Sequence, residues 1–158
     1  MSWIISPERN ALITGDLLQC KIFLRKLREV GPDGDRDIRK ALTLAAKVSY
    51  CRPFKCSRDK DGARMTWMPS EIIELLDNDL RRVHERIKDE RDEALAHTDW
   101  AVHEPRIHRS GDPPSISGVM MRDPWIPMES SEIDDLERLV RTVDELYTSN
   151  KRVVYELS

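Results

Sequence analysis

Apolar residues recur at three- and four-residue steps along most of the chain, and this pattern predicts four helices. The first opens at Ser6-Pro7, a capping residue followed by Pro at the first helical position, and stops at Gly31-Pro32. Inside it, Ile13, Leu17, Cys20, Leu24 and Leu27 form one stripe, while Ala11, Leu18 and Ile22 fall on roughly the opposite side. Two apolar sides need two partners, so this helix is either central in the fold or meets another subunit. The second helix runs from near Asp35 to about Tyr50 with the stripe Ile38, Ala41, Ala45, Val48, and Pro53 stops it. The third begins around Pro69-Ser70-Glu71 and continues to about His97 on Ile72, Leu76, Leu80, Val83, Ile87 and Ala94. The last opens with a capping-box pattern at Ser131 to Asp134, and its stripe is Leu136, Leu139, Val140, Val143, Leu146, Tyr147 and Val154. The expected product is a single all-α domain over residues 1–158, an up-and-down four-helix bundle. Two long loops, Cys51 to Met68 and Thr98 to Met128, interrupt it.

Composition agrees with the helical reading. Only 6 of 158 residues are Gly, and charged residues make up 35% of the chain. Lys and Arg total 26 against 29 Asp and Glu, a net charge of −3, which excludes a bulk-basic nucleic-acid binder. No apolar run approaches the ~20 residues of a membrane span. The segment Met1 to Pro7 lacks the basic and apolar regions of a signal peptide. Cys20, Cys51 and Cys56 are an odd set for a disulfide framework, so the expected location is a reducing cytoplasm. Cys51 and Cys56, with distant His103 and His108, match no standard zinc spacing, and neither a metal nor a cofactor is expected. Trp67, Trp100 and Trp125 lie in or beside loops, where such residues either stack bases or fold the loop back onto the helices. There is no Gly-rich phosphate loop and no Ser nucleophile elbow.

The third helix carries the chemistry. At ~100° per residue, Arg91 falls roughly 50° to one side of the apolar stripe and His97 about 70° to the other, so both flank the buried seam. His84 lies seven residues before Arg91, almost directly beneath it. Arg presents a fixed fork of donors to a phosphoryl oxygen, and His exchanges a proton near neutral pH. RNA supplies its own 2′-hydroxyl nucleophile, so these two groups suffice for strand cleavage without a metal. The alternative for the same residues is structural: an Arg with a packed stem and a wet head, and a His interacting with the last helix carbonyls. The basic stretch with Arg52, Lys55, Arg58, Lys60 and Arg64 is placed to supply a positive field if it folds over the groove; otherwise it is ordinary solvated charge.

Arg91-Asp92-Glu-Ala-Leu-Ala-His97 resembles the signature of the HEPN superfamily: Arg, a polar residue, and His after a short gap. The sequel His97-Thr98-Asp99 looks like the form in bacterial HEPN proteins related to abortive infection. Val48-Ser-Tyr50-Cys51-Arg52-Pro53-Phe54 is similar to the Ser-Tyr-x-Arg-x-Phe stretch of such proteins, and His84-Glu85 fits their pattern. The resemblance covers Asp35 to Asp99 and implies an all-helical homodimer whose motif helices meet in one shared cleft. It implies a metal-independent endoribonuclease of toxin or defence type, with an antitoxin as a further partner. In it His97 is the general acid/base, Arg91 the transition-state clamp and Asp92 an orienting group. His84, Arg52, Lys55 and Arg58 are then the candidates for substrate binding. Because some members are not nucleases, it equally implies a catalytically silent binding or docking module.

Overall fold

The computed structural model describes residues 2–58, 64–95, 106–110, 115–120 and 126–154, and this part of the chain is mostly helical. The first helix, α1 (Pro7–Val30), begins where Ser6 accepts a hydrogen bond from the Arg9 N–H, with Pro7 at its first position. It ends at Gly31, whose φ of 72° favours glycine and whose N–H donates to the Leu27 carbonyl at 3.1 Å. The expected stripe Ile13, Leu17, Cys20, Leu24, Leu27 is its buried face. Asp35 then caps α2 (Arg36–Cys51), its carboxylate accepting from the Asp37 and Ile38 N–H groups.

The buried face of α2 differs from the expected one. Thr43, Ala46, Lys47 and Tyr50 point inward, while Ile38 is half exposed and Ala41 is exposed. Of the buried polar residues of α2, Thr43 and Lys47 reach other segments. The Thr43 hydroxyl accepts from the Met128 N–H at 3.1 Å, and the Lys47 ammonium pairs with Glu90 at 2.7 Å. Satisfied in this way, they set the buried face nearly opposite the expected stripe and bring Tyr50 into the core.

The single third helix also needs correcting. It is two: a short α3 (Glu71–Glu74) and α4 (Asn78–Leu95). Asp77 makes the break, its carboxylate accepting from the Leu80 N–H at 2.8 Å as a fresh N-terminal cap. Arg81 reaches back to the Glu74 and Leu76 carbonyls, which α3 leaves without helical partners. The last helix, α5 (Ser130–Asn150), starts one residue before the expected cap. Its capping box is Glu129 with Glu132 rather than Ser131 with Asp134.

Helix α1 packs on α2 and α5, and α4 packs on the same two helices. The core between them includes Leu17, Leu24, Tyr50, Ile87, Leu136 and Tyr147, each buried. Three short strand pairs lie where loops or helix were expected. β1 (Trp3–Ile5) pairs in parallel with β6 (Lys151–Val153), so the last helix stops before Val154. β2 (Cys56–Arg58) and β3 (Arg64–Thr66) form one antiparallel pair, and β4 (Arg106–Ser110) with β5 (Ser115–Met120) another. No helix among the described residues is long and apolar enough to cross a membrane.

Candidate functional site

The segments that carry the family resemblance meet at the seam between α2 and α4. The Tyr50 hydroxyl lies 2.7 Å from His84 Nδ1. Phe54, on the tight turn that follows α2, sets its ring edge-on to His84 with centroids 4.8 Å apart and lies 5.3 Å from the Tyr50 ring. Above this cluster Lys47 pairs with Glu90. Beside it, Cys51 faces the backbone of Ile87 and the charge of Arg91.

His84 and Arg91 are therefore not at the edge of the seam. They are in it, 4% and 6% exposed, on the same face of α4 as Leu80 and Ile87. Burial lowers the affinity of His84 for a proton, with Glu85 opposing and Lys88 assisting. Burial also pushes the Tyr50 phenol well above its ordinary range, so it keeps its proton. The Tyr50 hydroxyl and His84 Nδ1 share this hydrogen bond, and His84 Nε2 lies 3.9 Å from the Glu85 carboxylate. Cys51 is an inert thiol: burial pushes it up to about 11, although the nearby Arg91 charge pulls the other way.

Arg91 is the unusual member. One guanidinium nitrogen pairs with Asp92 at 2.9 Å, while its buried Nε has no hydrogen-bond partner. A buried guanidinium N–H without a partner costs free energy, and the Cys51 side chain is the group within hydrogen-bonding reach of this guanidinium. Asp92 itself is more than half exposed. His97 lies outside the described residues, two positions beyond the end of α4.

Of the basic stretch, Lys60 and the side chains of Arg58 and Arg64 lie outside the described residues. Arg52 turns to Asp16 of α1 at 3.3 Å. Lys55 is exposed after the turn, and Arg58 lies on β2. Trp67 packs against the core, and its carbonyl accepts from Arg9 of α1, so it fastens the β2–β3 segment rather than presenting a stacking surface. Trp100, Trp125 and His103 lie outside the described residues. Cys51 is buried and Cys56 exposed, so the two thiols do not converge on one metal position. Among the described residues no group of three His, Cys, Asp or Glu could hold a metal ion. No protein family, curated protein or solved structure matches the chain.

Sequence reasoning passed over Lys47, Cys51 and Glu90 as members of this cluster. The available signal was the spacing Lys47, Tyr50, Phe54, which repeats at three and four residues like any buried face.

The His84 environment makes a pH prediction. Its folded proton affinity is depressed relative to the unfolded value of about 6.5, so the neutral form stabilises the fold fully above that pH. Stability is lost as pH falls below it, because the unfolded chain takes up the proton first. The melting temperature is expected to fall between pH 7.5 and 5, and to fall less steeply in His84→Gln. Equal slopes for the two proteins would show that His84 is not the titrating group.

Proposed function

We propose that this chain is a HEPN-like four-helix bundle that cleaves RNA without a metal, as a homodimer with Arg91 and His97 in a shared cleft. The observation that carries the reading is the Arg91 guanidinium, buried with an unpartnered Nε on the helix that leads to His97. The packing of Tyr50, Phe54 and His84 supports it, since the two resembling segments come together in space. In this mechanism His97 takes the proton of a 2′-hydroxyl, and the 2′-oxygen attacks the adjacent phosphorus. Arg91 stabilises the crowded phosphorane, while Asp92 orients its fork. The bond to the 5′-oxygen breaks, that oxygen gains a proton, and a cyclic phosphate remains. The near-neutral balance of the chain limits RNA contact to that one cleft. The proposal places the protein in a bacterial cytoplasm, where an antitoxin partner would hold it in check.

A second reading is favoured by one measurement. The Arg91 side chain is only 7% exposed and already paired with Asp92, which suits a catalytically silent module that binds RNA, a nucleotide or a partner protein. One incubation separates the two. Purified dimer with RNA in EDTA is expected to give fragments ending in cyclic phosphate. Saturable binding with the RNA left intact would reject the nuclease and retain the module.

A further inference from the structure

Ion pairs line the solvent side of the seam between α1 and α5. Lys21 pairs with Asp144 at 2.5 Å, and about two turns further along α1 Arg28 pairs with Glu137 at 2.7 Å and with Asp134. The partners on α5 come in reverse order, so the two helices run antiparallel and the pairs fall on matching turns. A third pair is due midway between them. There Leu24 and Val140 are buried, and the solvent side carries Arg25 and Arg141, two charges of one sign. Arg25 is 3.8 Å from Glu29 of its own helix. Among the described residues Arg141 has no hydrogen-bond or ion-pair partner, and neither has Arg138, three positions before it on α5. Like charges at that spacing repel. Lys21, Asp134, Glu137, Arg138 and Arg141 line an open groove of about 630 Å³, within the roughly 300–1,000 Å³ of small-molecule sites.

The carboxylates along this seam are already engaged, Asp134 and Glu137 by Arg28 and Asp144 by Lys21. What the midpoint lacks is an anion. We propose that the groove takes a small phosphorylated ligand, its phosphoryl group held by Arg138 and Arg141 with Lys21 on the α1 side. Guanidinium forks match the oxygens of a phosphoryl group, and a dianion set between them replaces their mutual repulsion by attraction to a common centre. The flanking charges select a compact ligand. Asp134 and Glu137 close one end of the arginine stretch and Asp144 the other, so a polyanionic strand laid along the groove would cross carboxylates at both ends. A single phosphoryl group does not. None of the residues assigned to cleavage lines this groove, so the inference is independent of the proposed nuclease.

Isothermal titration calorimetry of the full chain with inorganic pyrophosphate tests it, at an ionic strength held constant with sodium chloride. Saturable binding at one site per chain is expected. Arg138→Gln and Arg141→Gln are each expected to weaken it about tenfold or more, because each removes a charged fork from the phosphoryl group. Both positions are exposed, so circular dichroism should stay unchanged. Arg82→Gln, which removes an exposed arginine of α4, should leave the binding as it is. Absence of saturable binding overturns the proposal, as does binding that both groove variants retain. Binding of single-stranded RNA that Arg141→Gln weakens, with none of pyrophosphate, would show that the groove tracks a strand and would overturn the compact ligand. Pyrophosphate carries no 2′-hydroxyl, so its failure to bind leaves the proposed cleavage standing.

Discussion

His97→Ala is expected to lower RNA cleavage by roughly 10²- to 10⁴-fold, the usual contribution of a positioned acid/base. The effect is that large because no other described group near Arg91 can replace it. His84 is committed to Tyr50 inside the seam and disfavours protonation, so it cannot alternate between acid and base there. Asp92 is paired with Arg91. The Cys51 thiol is held far above neutral pH by burial. The variant should keep its melting temperature within about 2 °C, a shift corresponding to about 0.5–1 kcal/mol for a domain of this size. Arg91→Lys tests the other half of the proposed pair. It keeps the positive charge and loses the fork, so cleavage should drop while binding persists. Retention of the wild-type rate within about threefold in His97→Ala, measured on a dimer free of other nucleases, would remove His97 from the mechanism.

The helices were legible wherever a local rule acted alone. In α1 the cap, the stop and the apolar stripe agree with one another, and all five stripe residues are buried. In α2 the rule of apolar periodicity gave way to tertiary partners. Thr43 and Lys47 look like solvent residues until Met128 and Glu90 are brought beside them, and no reading of α2 alone contains those partners. The Asp77 cap between α3 and α4 was a local signal, but the apolar steps from Ile72 to Ile87 continue through it in phase and concealed it. The strands escaped because each described one has only three to six residues, too few to establish a period of two. The placement of His84 shows the same limit at the site. Helical angles put it beneath Arg91, as observed on one face of α4, but they could not show that an aromatic pair from the end of α2 closes over it.

Tyr50→Ala is expected to destabilise the fold by about 3–5 kcal/mol, a large share of the ~5–15 kcal/mol that holds a domain of this size. Two effects act together. The ring is fully buried, and its loss leaves a cavity between α2 and α4 beside Phe54. The hydroxyl is the partner of His84 Nδ1, so its loss also leaves a buried ring nitrogen unpaired. Tyr50→Phe separates them: it keeps the packing and removes only the hydrogen bond, for an expected cost of about 1–3 kcal/mol. The seam then predicts coupling. In the double variant Tyr50→Phe with His84→Leu, both polar partners are replaced by apolar groups, and the total cost should be smaller than the sum of the single costs. Denaturant unfolding of the four proteins closes that cycle. Additive costs would mean that the 2.7 Å contact contributes nothing, and that α2 and α4 are held by apolar packing and the Lys47–Glu90 pair alone.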